Sequence, residues 1–177
     1  MIKSFMIFFT CLCISSLKGK SQELLQLSDS GKNVILLNHN LLRDSVNVPH
    51  LAWNNALAET AALWALHLAT EDKGIFHSKN PDYGENIFMV WGSQLQAADI
   101  TQDWANEREY FVYGIFPECA QPPDKVVGHY TQMIWETTNE VGCAISKSKS
   151  GKYYAVCNYN PPGNIVGDYP YTKHQAK

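Results

Sequence analysis

Gly128-His129-Tyr130-Thr131-Gln132-Met133-Ile134-Trp135 is the stretch on which the reading of this chain turns. Its aromatic, β-branched and apolar residues follow a Pro-rich, Asp-containing loop, and the pattern predicts a strand. The stretch opens with an imidazole beside a glycine. Glycine lets the backbone bend or be approached closely, so His129 can face an open site. Taken alone, the same residues also describe a core strand with a polar start.

A second stretch narrows the choice. Tyr154-Ala155-Val156-Cys157-Asn158-Tyr159-Asn160 reads as another strand, ended by the rigid turn Pro161-Pro162-Gly163-Asn164. In this order the two stretches resemble the paired signatures of the CAP superfamily, the cysteine-rich secretory, antigen 5 and pathogenesis-related class-one proteins. Three further segments resemble the same family: Asn38-His39-Asn40 with Arg43, His77 followed by Gly84-Glu85-Asn86, and Trp104 with Glu107. The resemblance runs from about Val34 to Tyr171. It implies an α+β fold, a three-layer α-β-α sandwich with a small, mostly antiparallel central sheet.

The composition is that of one packed domain, 45% hydrophobic and 18% charged, with five Trp and nine Tyr in 177 residues. A net charge of −3 leaves no basic footprint for nucleic acid or for an electrostatic membrane anchor. Lys3, the apolar run Phe5 to Leu17, and Gly19-Lys20-Ser21 read as a secretory signal peptide over residues 1–21. The apolar run is shorter than the roughly 18–20 residues that span a bilayer. The expected order is then a polar leader (22–33), one CAP domain (34–171) and a flexible tail (172–177), in a secreted protein, or a periplasmic one in a bacterium.

Cys11 and Cys13 leave with the signal peptide, and the mature chain keeps Cys119, Cys143 and Cys157. Cys143 and Cys157 sit in neighbouring strand-like runs joined by a polar, Gly-containing loop, a hairpin that a disulfide can staple. The resemblance implies the same pair. Cys119 is left either as a free buried thiol in a monomer or as a link to another chain in a dimer. Val127 stands where plant members of the family often carry a cysteine.

Three helices are expected. The first runs from Val34 to about Ser45, with Val34, Leu37, Leu41 and Leu42 at helical spacing. Its His39 reads as a packing histidine. Val48 to Trp53 is an extended link, and Asn54 or Asn55 caps a second helix that buries Leu57, Ala61, Trp64, Ala65 and Leu68 and runs to about Thr70. His67 falls beside that stripe, at the surface or its boundary. Ser93 and Gln96 form a capping-box pattern for a third helix reaching Tyr110. Glu107 lies on that helix's inward stripe with Ala97, Ile100 and Trp104. A carboxylate on an inward face is costly unless it is paired or faces a wet cavity, which marks a site on physical grounds.

Four residues therefore carry the chemistry: His77, Glu85, Glu107 and His129. Two imidazoles and two carboxylates can bind a divalent metal, form an acid–base set, or brace a cleft as a satisfied polar network. Their irregular spacing does not assemble them; the resemblance implies that they meet in one central cleft, where His77 and His129 hold zinc or another divalent ion with Glu85 and Glu107 as partners. No GxSxG or HExxH pattern supplies a hydrolase nucleophile or metal site. The family pattern favours binding of a sterol, fatty acid or other lipid, or of a protein or glycan partner, in defence or host interaction. Tyr110, Phe111, Tyr113 and Phe116 offer a ligand loop, or simply pack that loop down. The loop does not closely reproduce the sterol-binding pattern of fungal relatives. The alternative is a metal-dependent, protease-like hydrolase in the same cleft, with Glu85 and Glu107 as its catalytic carboxylates.

Overall fold

The computed structural model describes residues 22–92 and 95–173. The expected signal peptide, the proposed cap Ser93 and the last four residues of the tail lie outside the described residues. The elements are β1 (Glu23–Leu25), α1 (Asp29–Ser45), β2 (Ala52–Trp53), α2 (Asn55–Glu71), β3 (Gly84–Trp91), α3 (Ala97–Asn106), a 3-10 turn (Glu107–Tyr110), α4 (Gly128–Met133), β4 (Glu140–Lys147) and β5 (Lys152–Asn160). No helix among the described residues is long and apolar enough to cross a membrane.

The sheet runs β1-β4-β5-β3 with antiparallel neighbours, and β2 adds a short parallel pairing to the start of β4. Strands β4 and β5 are buried on both faces, and alternation along them sorts the core into two layers. Val141, Cys143, Ile145, Ala155, Cys157 and Tyr159 pack with Ile35 of α1, Ile100 and Trp104 of α3, and Met133 of α4. Ala144, Tyr154 and Val156 point the other way, onto Ala61, Ala65, Leu68 and Ala69 of α2. This is the expected three-layer α-β-α sandwich. Gly142 makes the close approach of α2 possible: a Cβ there would strike the backbone of Asn54, Leu57 and Ala58.

Asn54 is the cap of α2, its side chain accepting from the N–H groups of Ala56 (2.8 Å) and Leu57 (3.2 Å). Helix α3 begins at Ala97, with the Asp99 carboxylate accepting from the N–H of Gln96 at 2.9 Å. Cys143 and Cys157 are register partners across β4 and β5, with Cα atoms 4.1 Å apart, and they form the disulfide. Cys119 is a free thiol and only 1% exposed, so it is not presented for a link to a second chain.

Four expectations are corrected. Gly128 to Met133 is a helical turn and a half, not a strand. The stretch 22–33 carries β1 and the first turn of α1, not a leader alone. Helix α3 stops at Asn106, and the chain tightens into a 3-10 turn through Tyr110. The buried stripe of α1 is Ile35, His39 and Arg43, whereas Leu37 and Leu41 face solvent. That register is stable because both polar side chains are satisfied. The Arg43 guanidinium donates to the carbonyls of Pro49, Met133, Trp135, Glu136 and Thr138, which ties α1 to the segment after α4. Burial lowers its pKa to about 10, which leaves it charged at neutral pH.

Candidate functional site

Glu107 explains the helical turn that the sequence does not announce. It begins the 3-10 turn after α3, and its side chain is largely buried. Oε2 accepts from the N–H groups of His129 (2.8 Å) and Tyr130 (3.0 Å), the exposed donors at the start of α4. Oε1 lies 2.6 Å from His129 Nδ1. A free helix N-terminus needs an acceptor. Val127 at the cap position has none to give, so a distant carboxylate supplies it. The inward charge is thereby satisfied three times. The imidazole of His129 is also stacked on the Trp104 indole, with centroids 5.9 Å apart and planes 11° apart.

A second imidazole–carboxylate pair stands at the start of β3, the edge strand. Asn80, Pro81 and Asp82 turn the chain, with Asp82 N–H donating to Asn80 Oδ1 at 2.9 Å. The turn brings His77 Nδ1 to 2.7 Å from Glu85 Oε1, which also accepts from Ser78 N–H at 3.0 Å. The hydrogen bond to Glu85 raises the pKa of His77 above its usual value, against a smaller opposing effect of burial. Glu85 Oε2 is buried and has no hydrogen-bond partner among the described residues.

The two pairs are linked through Asn86. Its Nδ2 donates to the His129 carbonyl (3.1 Å) and to Tyr159 Oη (3.2 Å). The Tyr159 hydroxyl bonds His39 Nε2 at 2.8 Å, and His39 Nδ1 bonds the Ile35 carbonyl at 2.8 Å. This fixes the tautomer: Nδ1 carries the proton and Nε2 accepts from Tyr159. Burial lowers the pKa of His39 to about 4, so it is a neutral packing histidine, as read from the sequence. Gly84 matters here too, since a Cβ would collide with the buried Gln132 side chain of α4.

The four residues thus form two pairs at the free edge of the sheet. Glu85 pairs in register with Asn158 on the α2 side of β3, whereas Asn86 reaches His129 from the other side. No group of three or more His, Cys, Asp and Glu among the described residues stands ready to hold a metal ion. Asn86 and Tyr159, which tie the pairs into the core, were not singled out from sequence. Their only signal is position, Asn86 beside Glu85 and Tyr159 in the second signature.

The aromatic loop is mostly packed down. Phe111 meets Tyr130 edge-on at 5.3 Å, Phe116 meets Trp135 at 6.3 Å, and the Tyr110 ring carries Lys125 Nζ at 4.8 Å. Tyr113 instead lines a groove with Tyr169 and Tyr171. His67 is exposed and stacks on Trp64, which lies half-buried at the margin of the α2 stripe.

Comparison with known proteins agrees with this architecture. Residues 36–159 match the family model described as CAP, the cysteine-rich secretory protein family. Pathogenesis-related protein 1C of Nicotiana tabacum is 40% identical over 133 residues, 75% of this chain and 76% of the relative. Pathogenesis-related protein PR-1 of Medicago truncatula is 36% identical over 145 residues, 81% of each. The crystal structure of NaASP2 with Zn2+ superposes with a TM-score of 0.70 at 27% identity, covering 84% of this chain and 88% of that one. Family model, plant relatives and fold agree, and the chain belongs to the CAP family of cysteine-rich secretory proteins.

Proposed function

We propose that this protein is a secreted CAP binding protein whose two histidines, at the edge of β3, hold a divalent metal such as zinc beside a surface for a lipid, protein or glycan partner. One observation carries the reading. Each imidazole is engaged through Nδ1 by a carboxylate, at 2.7 Å for His77 and 2.6 Å for His129. In the neutral imidazole that arrangement holds the proton on Nδ1 and leaves Nε2 as a metal donor. Two imidazole nitrogens are the donors this chain would offer such an ion, with water or a ligand completing the shell. Such an ion supplies a Lewis-acid contact to a bound partner. The protein's own residues orient the donors, through Glu85, Glu107 and the Trp104 stack. The likeness to NaASP2, whose structure carries Zn2+, supports the same reading. The Cys143–Cys157 disulfide supports an oxidising, extracellular destination. The names of the plant relatives favour a role in defence or host interaction.

Glu107 spends both oxygens on fixed hydrogen bonds, so it is a poor candidate for the base of a hydrolase. This weakens the part of Glu107 in the hydrolase alternative, whose other carboxylate is Glu85. Native mass spectrometry of the mature protein, secreted and purified without chelator, tests the binding reading. A retained ion-sized mass that disappears on denaturation is the expected result. A bare chain that stays bare after incubation with zinc would overturn the metal assignment, and a lipid-sized mass would identify the class of partner.

A further inference from the structure

We propose that the groove between the 165–172 segment and the residues after α4 is a docking site for a cationic side chain, arginine or lysine, of a partner polypeptide. The groove measures about 410 Å³, and its lining includes Tyr113, Trp135, Glu136, Asp168, Tyr169 and Tyr171. It is distinct from the His77 and His129 pairs and does not depend on the metal reading.

Its walls are preformed by hydrogen bonds. Glu136 N–H donates to the Pro170 carbonyl at 2.8 Å, and Phe116 and Asp168 are tied through Phe116 N–H to the Asp168 carbonyl at 2.9 Å. Tyr113 Oη donates to the Tyr171 carbonyl (3.1 Å) and accepts from Lys173 N–H (3.2 Å), which fixes the ring. Tyr113 stacks on Tyr169 at 5.2 Å and meets Tyr171 at 5.1 Å.

The chemistry of this wall selects a cation. Aromatic faces attract ammonium and guanidinium groups, and two carboxylates line the same groove. The protein already shows the preference: its own Lys173 places Nζ 5.3 Å from the centroid of the Tyr113 ring. On this proposal Lys173, which lies over the Tyr113 ring, is an internal placeholder that an incoming cation displaces. The rim favours a polypeptide over a free small cation. Ile165 (44% exposed) and Val166 (76% exposed) offer apolar contact to the residues flanking a docked side chain.

The test follows the Trp135 indole N–H by two-dimensional NMR in the mature protein. The probes are the capped tripeptide Ile-Arg-Ile, its citrulline counterpart, acetyl-arginine amide and chitotriose. Saturable movement with the arginine tripeptide is expected. Affinity should fall at least fivefold with citrulline, or with Glu136→Gln and Asp168→Asn combined, and should rise at least twofold in Lys173→Ala. The Glu136→Gln change keeps an acceptor for Thr172 N–H but removes a charge near Arg43, and Asp168 is exposed, so an unchanged near-UV circular dichroism spectrum confirms that the double variant is folded. Equal binding of arginine and citrulline tripeptides would overturn charge recognition. Acetyl-arginine amide binding as tightly as the tripeptide would overturn the polypeptide source. Movement with chitotriose and none with the peptides would replace the cation site by a glycan platform. Unchanged affinity in Lys173→Ala would overturn the placeholder role.

Discussion

Glu107 joins two functions in one side chain, because the carboxylate that orients His129 also caps the start of α4. Replacing it separates them. Glu107→Gln keeps an acceptor for the backbone N–H groups, whereas Glu107→Ala leaves both N–H groups and His129 Nδ1 without a partner. The alanine variant should lose about 1–3 kcal/mol in urea unfolding, and the glutamine variant distinctly less. Arg43 is the larger anchor. Arg43→Met leaves five carbonyls without their donor and should cost at least about 3 kcal/mol by the same measurement. Arg43→Lys recovers little, since an ammonium cannot reproduce the planar fork. His39 gives a pH signature. Its folded pKa is lowered to about 4 from 6.5, so below pH 6.5 the unfolded chain binds a proton that the folded chain refuses. Its contribution is full above pH 6.5 and is lost as pH falls toward 4, by about 3 kcal/mol in total. His39→Gln has no proton to gain there, and its stability should vary less over this window in equilibrium unfolding.

The elements show what a sequence pattern can and cannot carry. Helices α2 and α3 were legible because their inward faces are apolar and Asn54 is a local cap. In α1 the apolar periodicity misleads. Its inward face holds His39 and Arg43, which are satisfied by Tyr159, 120 residues away, and by carbonyls that no periodicity reveals, and Leu37 and Leu41 are left outside. The α4 stretch reads as a strand for a related reason. Its composition is β-prone and its cap lies 22 residues upstream, so tertiary contact overrides local preference. The second signature was legible because alternation and the Cys143–Cys157 spacing agree on a hairpin, which is what β4 and β5 form. Reducing that disulfide should cost about 3 kcal/mol in the chain-entropy account of a loop this size, read as a lower urea midpoint with an intact fold at low denaturant.

At the scale of the molecule, the sandwich holds the two histidines at one edge of its sheet. Strand β3 ends the strand order among the described residues, so the residues at its start face the open side. The family's motifs name His77, Glu85, Glu107 and His129 as the candidate site. Its geometry was not legible in the sequence, because the pairing of each histidine with its own carboxylate depends on the turn before β3 and on the cap of α4. The most direct test of the central claim is calorimetric titration of zinc into metal-stripped mature protein, beside the His77→Ala/His129→Ala double variant. One ion per chain in the parent, and none in a double variant that keeps its near-UV circular dichroism, is the predicted result. Equal uptake by the two proteins would contradict the account.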